Sequence, residues 1–156
     1  MINRDMTLDT ILILKLFRLG KWLQKKKKNL FFLPFYILVK IFYRFIQIIY
    51  GFSMPFSIDL GKRACFKHGF YGIFISSEAV IGNDVIIMHQ VTIGSNFSSN
   101  KSIVAPCIGN NVFIGPGAKI IGYVHLPDNS KVGANALIVN QECEQGIYVA
   151  QKATKI

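Results

Sequence analysis

Two patterns of apolar and polar residues divide this 156-residue chain. Over residues 7–24, Leu8, Leu12, Leu16, Leu19 and Leu23 recur at intervals of three and four, which predicts a helix with Thr7 as its cap. The run Lys25-Lys26-Lys27-Lys28 interrupts that pattern, and Leu30 to Tyr50 is then almost continuously apolar. This second stretch is long enough to cross a bilayer. Pro34 interrupts its start, however, and Lys40, Arg44 and Gln47 recur at helical spacing on one face. A wide apolar face with a basic stripe reads better as a helix lying in a membrane interface or packed against partner subunits.

From residue 54 the period becomes six. Ile81, Ile87 and Ile93 keep one phase, and after a single jump Ile108, Ile114, Ile120, Leu126, Val132 and Ile138 resume it. The fifth position of each hexad is small or β-branched: Val85, Val91, Val112, Ala118, Val124, Ser130 and Ala136. Six residues make one short strand and a turn, and the Gly or Asn that often follows the aliphatic residue is expected to let the backbone bend. The aliphatic side chain points into a narrow interior and stacks on its equivalent one coil away. A single hexad cannot bury its own face, so stability comes from stacking neighbours. A Greek-key sandwich would alternate with period two and lack the recurrent glycine.

Composition sharpens this division. With 51% hydrophobic residues the chain is not intrinsically disordered, and 17% charged residues are too few for a coiled coil. The formal charge of +10 is unevenly spread. Residues 1–50 carry ten Lys/Arg against Asp5 and Asp9, whereas residues 51–156 carry eight against six acids. The basic cluster is small and the remainder offers no stripe for a phosphate backbone, so no nucleic-acid partner is expected. The lysine run suits either a solvated turn or contact with anionic lipid. The first twenty residues lack the basic start and small-residue cleavage site of a signal peptide. Cys65, Cys107 and Cys143 have neither the number nor the spacing of a disulfide framework or zinc site, which fits a reducing, cytoplasmic setting and no metal.

The hexads resemble those of the hexapeptide-repeat acyltransferases, and the stretch from Ser53 to Val139 resembles their serine acetyltransferase branch, which includes capsule and colanic-acid-type polysaccharide O-acetyltransferases. The segments that carry the resemblance are Lys67-His68-Gly69-Phe70-Tyr71-Gly72-Ile73-Phe74-Ile75, Glu78 to Val85, Val91-Thr92-Ile93-Gly94, and Ile114 to Gly122. It implies a mainly β chain: a left-handed parallel β-helix over residues 53–142, with an inserted loop at 95–107. A helical region at 1–52 precedes it, and a tail at 143–156 follows. The left hand would be an exception to the usual crossover rule. The resemblance also implies acetyl-CoA as co-substrate and a homotrimer with substrates meeting between subunits.

Transfer of an acetyl group to an alcohol needs a base near neutrality, and histidine is the natural one. His68 matches the family's catalytic histidine; its competing role is a turn residue at a strand end. His89 lies 21 residues on, one coil plus three, so an irregular turn absorbing three residues would place both rings on one side. His125 reads as a surface residue. Positions matching the family's CoA contacts are Gly94, Ser95, Asn96, Gly115, Pro116, Lys131 and Ala134, with a backbone N–H near Gly94 or Ser95 as an oxyanion donor. Three features depart from the serine-specific enzymes. Ser53 stands where they place an aspartate, Ala105 precedes Pro106 where they carry a second histidine, and one extra residue lies between His68 and Ile81. With the apolar, basic N-terminus, these departures favour a sugar hydroxyl of a surface polysaccharide precursor as acceptor, the enzyme lying peripherally on the inner face of the membrane. Serine O-acetyl transfer and a non-catalytic scaffold are the alternatives.

Overall fold

The computed structural model describes residues 6–98 and 102–151. Two helices, α1 (Leu8–Lys26) and α2 (Leu33–Tyr50), precede a left-handed parallel β-helix of about five turns. Its strands form three faces. Face one stacks Asp59–Leu60, Val80–Ile81, Cys107–Ile108 and the end of the strand Lys119–Leu126. Face two stacks Cys65–Phe66, Ile86–Ile87, Phe113–Ile114, Lys131–Val132 and Ile147–Tyr148. Face three stacks Phe74–Ile75, Thr92–Gly94, the start of Lys119–Leu126 and Leu137–Val139. The parallel pairing thus continues through Tyr148, into the segment read as a tail.

All nine in-phase aliphatics are buried, at 2% exposure or less, as are the seven fifth-position side chains. The repeat also begins one coil earlier than Ile81. Met54, Leu60 and Phe66 occupy the aliphatic position and are buried, with Ala64 at the fifth. The aromatic Phe66 hides this coil from a search for aliphatics.

The bends arise elsewhere than expected. Arg63, Asp84, Gln90, Asn111, Asn129 and Asn135 are left-handed, with φ between 54° and 62°, and all sit at the fourth position. Asn and Asp tolerate that region best among residues with a Cβ. The second-position glycines keep ordinary φ and serve close approach instead. A Cβ on Gly61 would lie 2.2 Å from the Gly82 carbonyl oxygen, and one on Gly82 would lie 2.5 Å from that of Gly109. Between faces one and two the turns are tied by a ladder: Asn83 N–H donates to Asn110 Oδ1 (2.9 Å) and Asn110 N–H to Asp128 Oδ1 (2.6 Å).

The helices close the N-terminal end of the stack. The first coil has carbonyls with no strand above them, and side chains from the helices supply the donors. Arg18 donates to Leu60 O (2.7 Å) and Gly61 O, Lys21 to Ile58 O, and Tyr43 and Gln47 to Met54 O (3.1 and 3.3 Å). Phe17, Phe56, Tyr43, Phe52, Phe70 and Phe66 form a continuous chain of ring contacts between the helices and the solenoid interior.

The helix marked by the leucines is present as α1, but its leucine stripe is not the stripe that faces the solenoid. The buried side is Thr10, Ile13, Phe17, Gly20 and Leu23, whereas Leu8, Leu12 and Leu19 are exposed. Gly20 decides this, because a Cβ there would lie 2.2 Å from the Phe56 ring. The lysine run does not wholly break the helix either. α1 continues to Lys26, whose Nζ lies 4.9 Å from the Trp22 ring centroid and 5.4 Å from that of Phe32. Pro34 falls in the first turn of α2, where its missing N–H is harmless, and Gly51 ends that helix in the left-handed conformation.

Two stability outcomes follow. Ile114→Ala should lower the unfolding free energy by about 2–5 kcal/mol in urea titrations, since Ile87 and Val132, stacked on either side of it, hold the cavity open. Hydrogen bonds from the Asn110 backbone and side chain hold the Asp128 carboxyl below its ordinary value of 3.8. Its folded-state pKa is depressed, so its stabilisation is present above pH 3.8 and is lost as pH falls through the lower folded value. Asp128→Asn should therefore lose less stability than the native chain on acidification through that window.

Candidate active site

The segment joining the first rung of face two to face three, residues 67–73, has seven residues where the equivalent turns at 88–91, 115–118 and 133–136 have four. The surplus three are accommodated by positive φ at His68 (64°), Gly69 (84°) and Gly72 (67°). Phe70 plugs the interior, completely buried, and the turn is held outside by Tyr71 stacked on Tyr50 of α2, centroids 5.3 Å apart. His68 is therefore lifted from the coil on a fixed excursion and exposed.

One coil below, His89 occupies the regular turn at the same corner. The two rings meet edge to face with centroids 5.9 Å apart. His89 is partly buried, and its Nδ1 is out of contact with solvent without a hydrogen-bond partner. A buried ring nitrogen in that condition is costly. Among the described residues, neither histidine forms an ion pair with a carboxylate. Ser53 is engaged in the ladder instead, pairing with Phe74, its N–H on Ile73 O and its carbonyl on Ile75 N–H (both 2.8 Å).

The positions matched to CoA fall into two groups. Gly115, Pro116 and Ala134 belong to the turns stacked below His89 on its own corner, where Gly117 N–H donates to His89 O (3.1 Å) and Asn135 N–H to Pro116 O (2.9 Å). Lys131 is exposed on face two, just before that corner. Gly94, Ser95 and Asn96 lie at the far edge of face three, at the start of the insertion. A single chain does not bring the two groups together, because the outward residues of face three stand between them.

The two glycines differ in what they show. At Gly115 a Cβ would meet Ala134 N at 2.8 Å, so coil packing alone requires glycine there. At Gly94 a Cβ would meet nothing closer than 3.7 Å, and φ is ordinary. Packing does not demand glycine at Gly94, and the space above it belongs to an open groove of about 450 Å³ bordered by Phe74, Ser76, Ser77, Thr92 and Ser95. The insertion beyond it forms an antiparallel arm, Asn96–Phe97 against Ile103–Val104, with Phe97 and Ile103 exposed; residues 99–101 lie outside the described residues. His125 is exposed on face one, away from this corner.

The parallel β-helix presents two facing histidines at one corner of face three and a groove with an open glycine at the other edge, an arrangement that fits the acyltransferase class of such solenoids. Comparison with known proteins narrows the class. The chain is 30% identical over 140 residues to a serine acetyltransferase of Helicobacter pylori, covering 90% of this chain and 77% of that protein. It is also 30% identical over 125 residues to the colanic acid biosynthesis acetyltransferase WcaB of Escherichia coli, covering 80% and 74%. A serine acetyltransferase solved in complex with CoA shares the fold with a TM-score of 0.73 at 23% identity, over 93% of this chain. The chain spans 56% of that structure. No family model matches. The chain belongs to the hexapeptide-repeat acyltransferases, in the serine acetyltransferase-like branch, and is an O-acetyltransferase.

His68→Asn tests the corner with its left-handed turn preserved, since asparagine tolerates positive φ. Acetyl-dependent thiol release should fall roughly 10²–10⁴-fold while the melting temperature stays within a few degrees. Unchanged turnover would remove His68 from the chemistry.

Proposed function

We propose that this chain transfers the acetyl group of acetyl-CoA to a sugar hydroxyl of a surface polysaccharide or its precursor, with His68 as general base. The observation that carries the reading is the facing pair His68 and His89 on one corner, with a buried, unpartnered nitrogen on His89. The His68 imidazole takes the acceptor's hydroxyl proton as the oxygen attacks the thioester carbonyl. The resulting oxyanion is met by a backbone N–H at Gly94 or Ser95. As the C–S bond breaks, the proton passes from His68 to the departing thiolate.

Acetyl-CoA is placed in a groove between adjacent β-helices, along Gly115, Pro116 and Ala134 of one copy. Lys131 is available to a phosphate, and Gly94, Ser95 and Asn96 of a neighbouring copy close the site. This assembly, a homotrimer, unites the two groups that face three separates within one chain. It also gives exposed Phe97 and Ile103 on the arm an apolar partner.

The acceptor reading draws on what stands where a free amino acid would be held. Ser53 and Ala105 lack the charge and the second imidazole of the serine-specific pattern, and among the described residues neither His68 nor His89 is ion-paired with a carboxylate. The similarity to WcaB accords with this reading. Serine O-acetyl transfer is the second reading, favoured by the equal identity to the Helicobacter pylori enzyme.

Purified protein given acetyl-CoA should release thiol with glycan or lipid-linked sugar acceptors and leave free L-serine largely unacetylated. Efficient serine acetylation with no response to glycans would overturn the polysaccharide reading. Mass spectrometry of surface glycan from cells with and without the gene would identify the acetylated hydroxyl.

A further inference from the structure

Helix α2 divides sharply around its circumference. Tyr36, Tyr43 and Gln47 are buried, the latter two against Met54 and Phe56 of the solenoid, and Val39, Ile46 and Tyr50 are partly buried beside them. On the opposite side, Ile37, Leu38, Ile41, Phe45, Ile48 and Ile49 are each 47–67% exposed. At 100° per residue these six lie within one arc that contains no charged residue. Lys40 and Arg44 sit along the boundary between that arc and the buried stripe. The arc continues past the N-terminus of α2 into exposed Leu30 and Phe31, beside Lys27 and Lys28.

We infer that this face docks on an anionic lipid bilayer, with α2 lying parallel to the surface. Its apolar arc enters the acyl boundary, while Lys40, Arg44 and the lysines of the α1–α2 turn meet the headgroups. Charge selects lipid over a second copy of the chain. α2 carries no acidic residue, and the first fifty residues hold ten cations against two acids, so pairing two such faces would set like charges together. Anionic headgroups supply the missing complement.

Although α2 is long and apolar enough to cross a membrane, it lies flat. The Tyr43 and Gln47 hydrogen bonds to Met54 O, and the stacking of Tyr43 on Phe56 at 4.6 Å, fix its inner stripe to the solenoid. Crossing would strip those contacts. The orientation also matters for the chemistry. The C-terminal end of α2 stacks Tyr50, on its inward side, against Tyr71 in the His68 turn, so docking fixes how far that corner stands from the membrane surface.

Flotation of the full chain with vesicles tests the surface independently of any acetyl transfer. The native protein should float with vesicles containing phosphatidylglycerol, less with pure phosphatidylcholine, and release as salt rises. Ile41→Glu with Phe45→Glu should lower partitioning roughly tenfold or more, with an unchanged far-UV circular dichroism spectrum and melting temperature. Lys40→Ala with Arg44→Ala should erase part of the preference for anionic vesicles. Failure of the native protein to float, or equal binding to neutral and anionic vesicles, would overturn the inference. So would flotation of the glutamate pair at the native level, or a lipid-free change in its assembly mass by light scattering, which would mark the arc as a protein interface.

Discussion

Neighbouring strands in a β ladder approach to about 4.8 Å, and in this solenoid every coil must keep that distance at all three corners at once. The second-position glycines exist because the next coil's backbone occupies the space of a side chain, as at Gly61, Gly82 and Gly115. The small fifth positions and the left-handed fourth positions follow from the same tightness. Backbone beyond eighteen residues per coil cannot join the ladders, so it leaves the three faces as excursions, even where one of its side chains, Phe70, turns back into the interior. The chain has two of these, at 67–73 and at 95–106, and they leave from the two edges of face three. The first lifts His68 over His89, and the second carries the arm. The candidate chemistry sits where the stack could not absorb extra chain.

The open end of the stack imposes the second constraint. A solenoid exposes unpaired carbonyls and a row of apolar side chains at its first coil, which would template aggregation if left bare. Here Arg18, Lys21, Tyr43 and Gln47 meet the carbonyls, while the aromatic chain from Phe17 to Phe66 covers the interior. Burial contributes a second mark of this role: it lowers the Arg18 pKa and pushes the Tyr43 hydroxyl far up, as expected for groups committed to the cap. The cap binds α2 by a narrow stripe and leaves its wide apolar arc outward. It also abuts the His68 turn through Tyr50 on Tyr71. Cap, proposed docking face and histidine corner form one mechanical unit.

Much of this is legible in the order of residues alone. The six-residue period marks nine aliphatics, all of them buried, because stacking demands the same side-chain type at each level and so writes itself as a repeat. The three-residue surplus before His89 is countable, and it brings the histidines together as its arithmetic requires. Other features mislead. The leucines of α1 give the right helix but only part of its buried face, Leu23 and Leu16 facing inward and Leu8, Leu12 and Leu19 outward, since spacing reports a stripe but not what lies beside it; the glycine at position 20 is the discriminating residue. The in-phase positions of the first coil are not marked by the aliphatics, because Phe66 takes an aliphatic's place. Arg18 and Lys21 look like ordinary members of a basic segment, and only the unpaired carbonyls of Ile58, Leu60 and Gly61 show their use.

Local repetition along the chain was enough to specify the solenoid, its period and the two excursions, while His68 was singled out by its resemblance to the family pattern and His89 by its spacing from it. Which groups share a site was decided only in three dimensions. Gly94 and His68 are 26 residues apart in the chain, yet face three stands between them. Gly115 and Gly94 are alike as letters, yet one is filled by a neighbouring coil and the other opens on a groove. The outward arc of α2 was likewise settled by what the first coil covers. Burial is a property of surroundings, and no residue carries its surroundings in its own position.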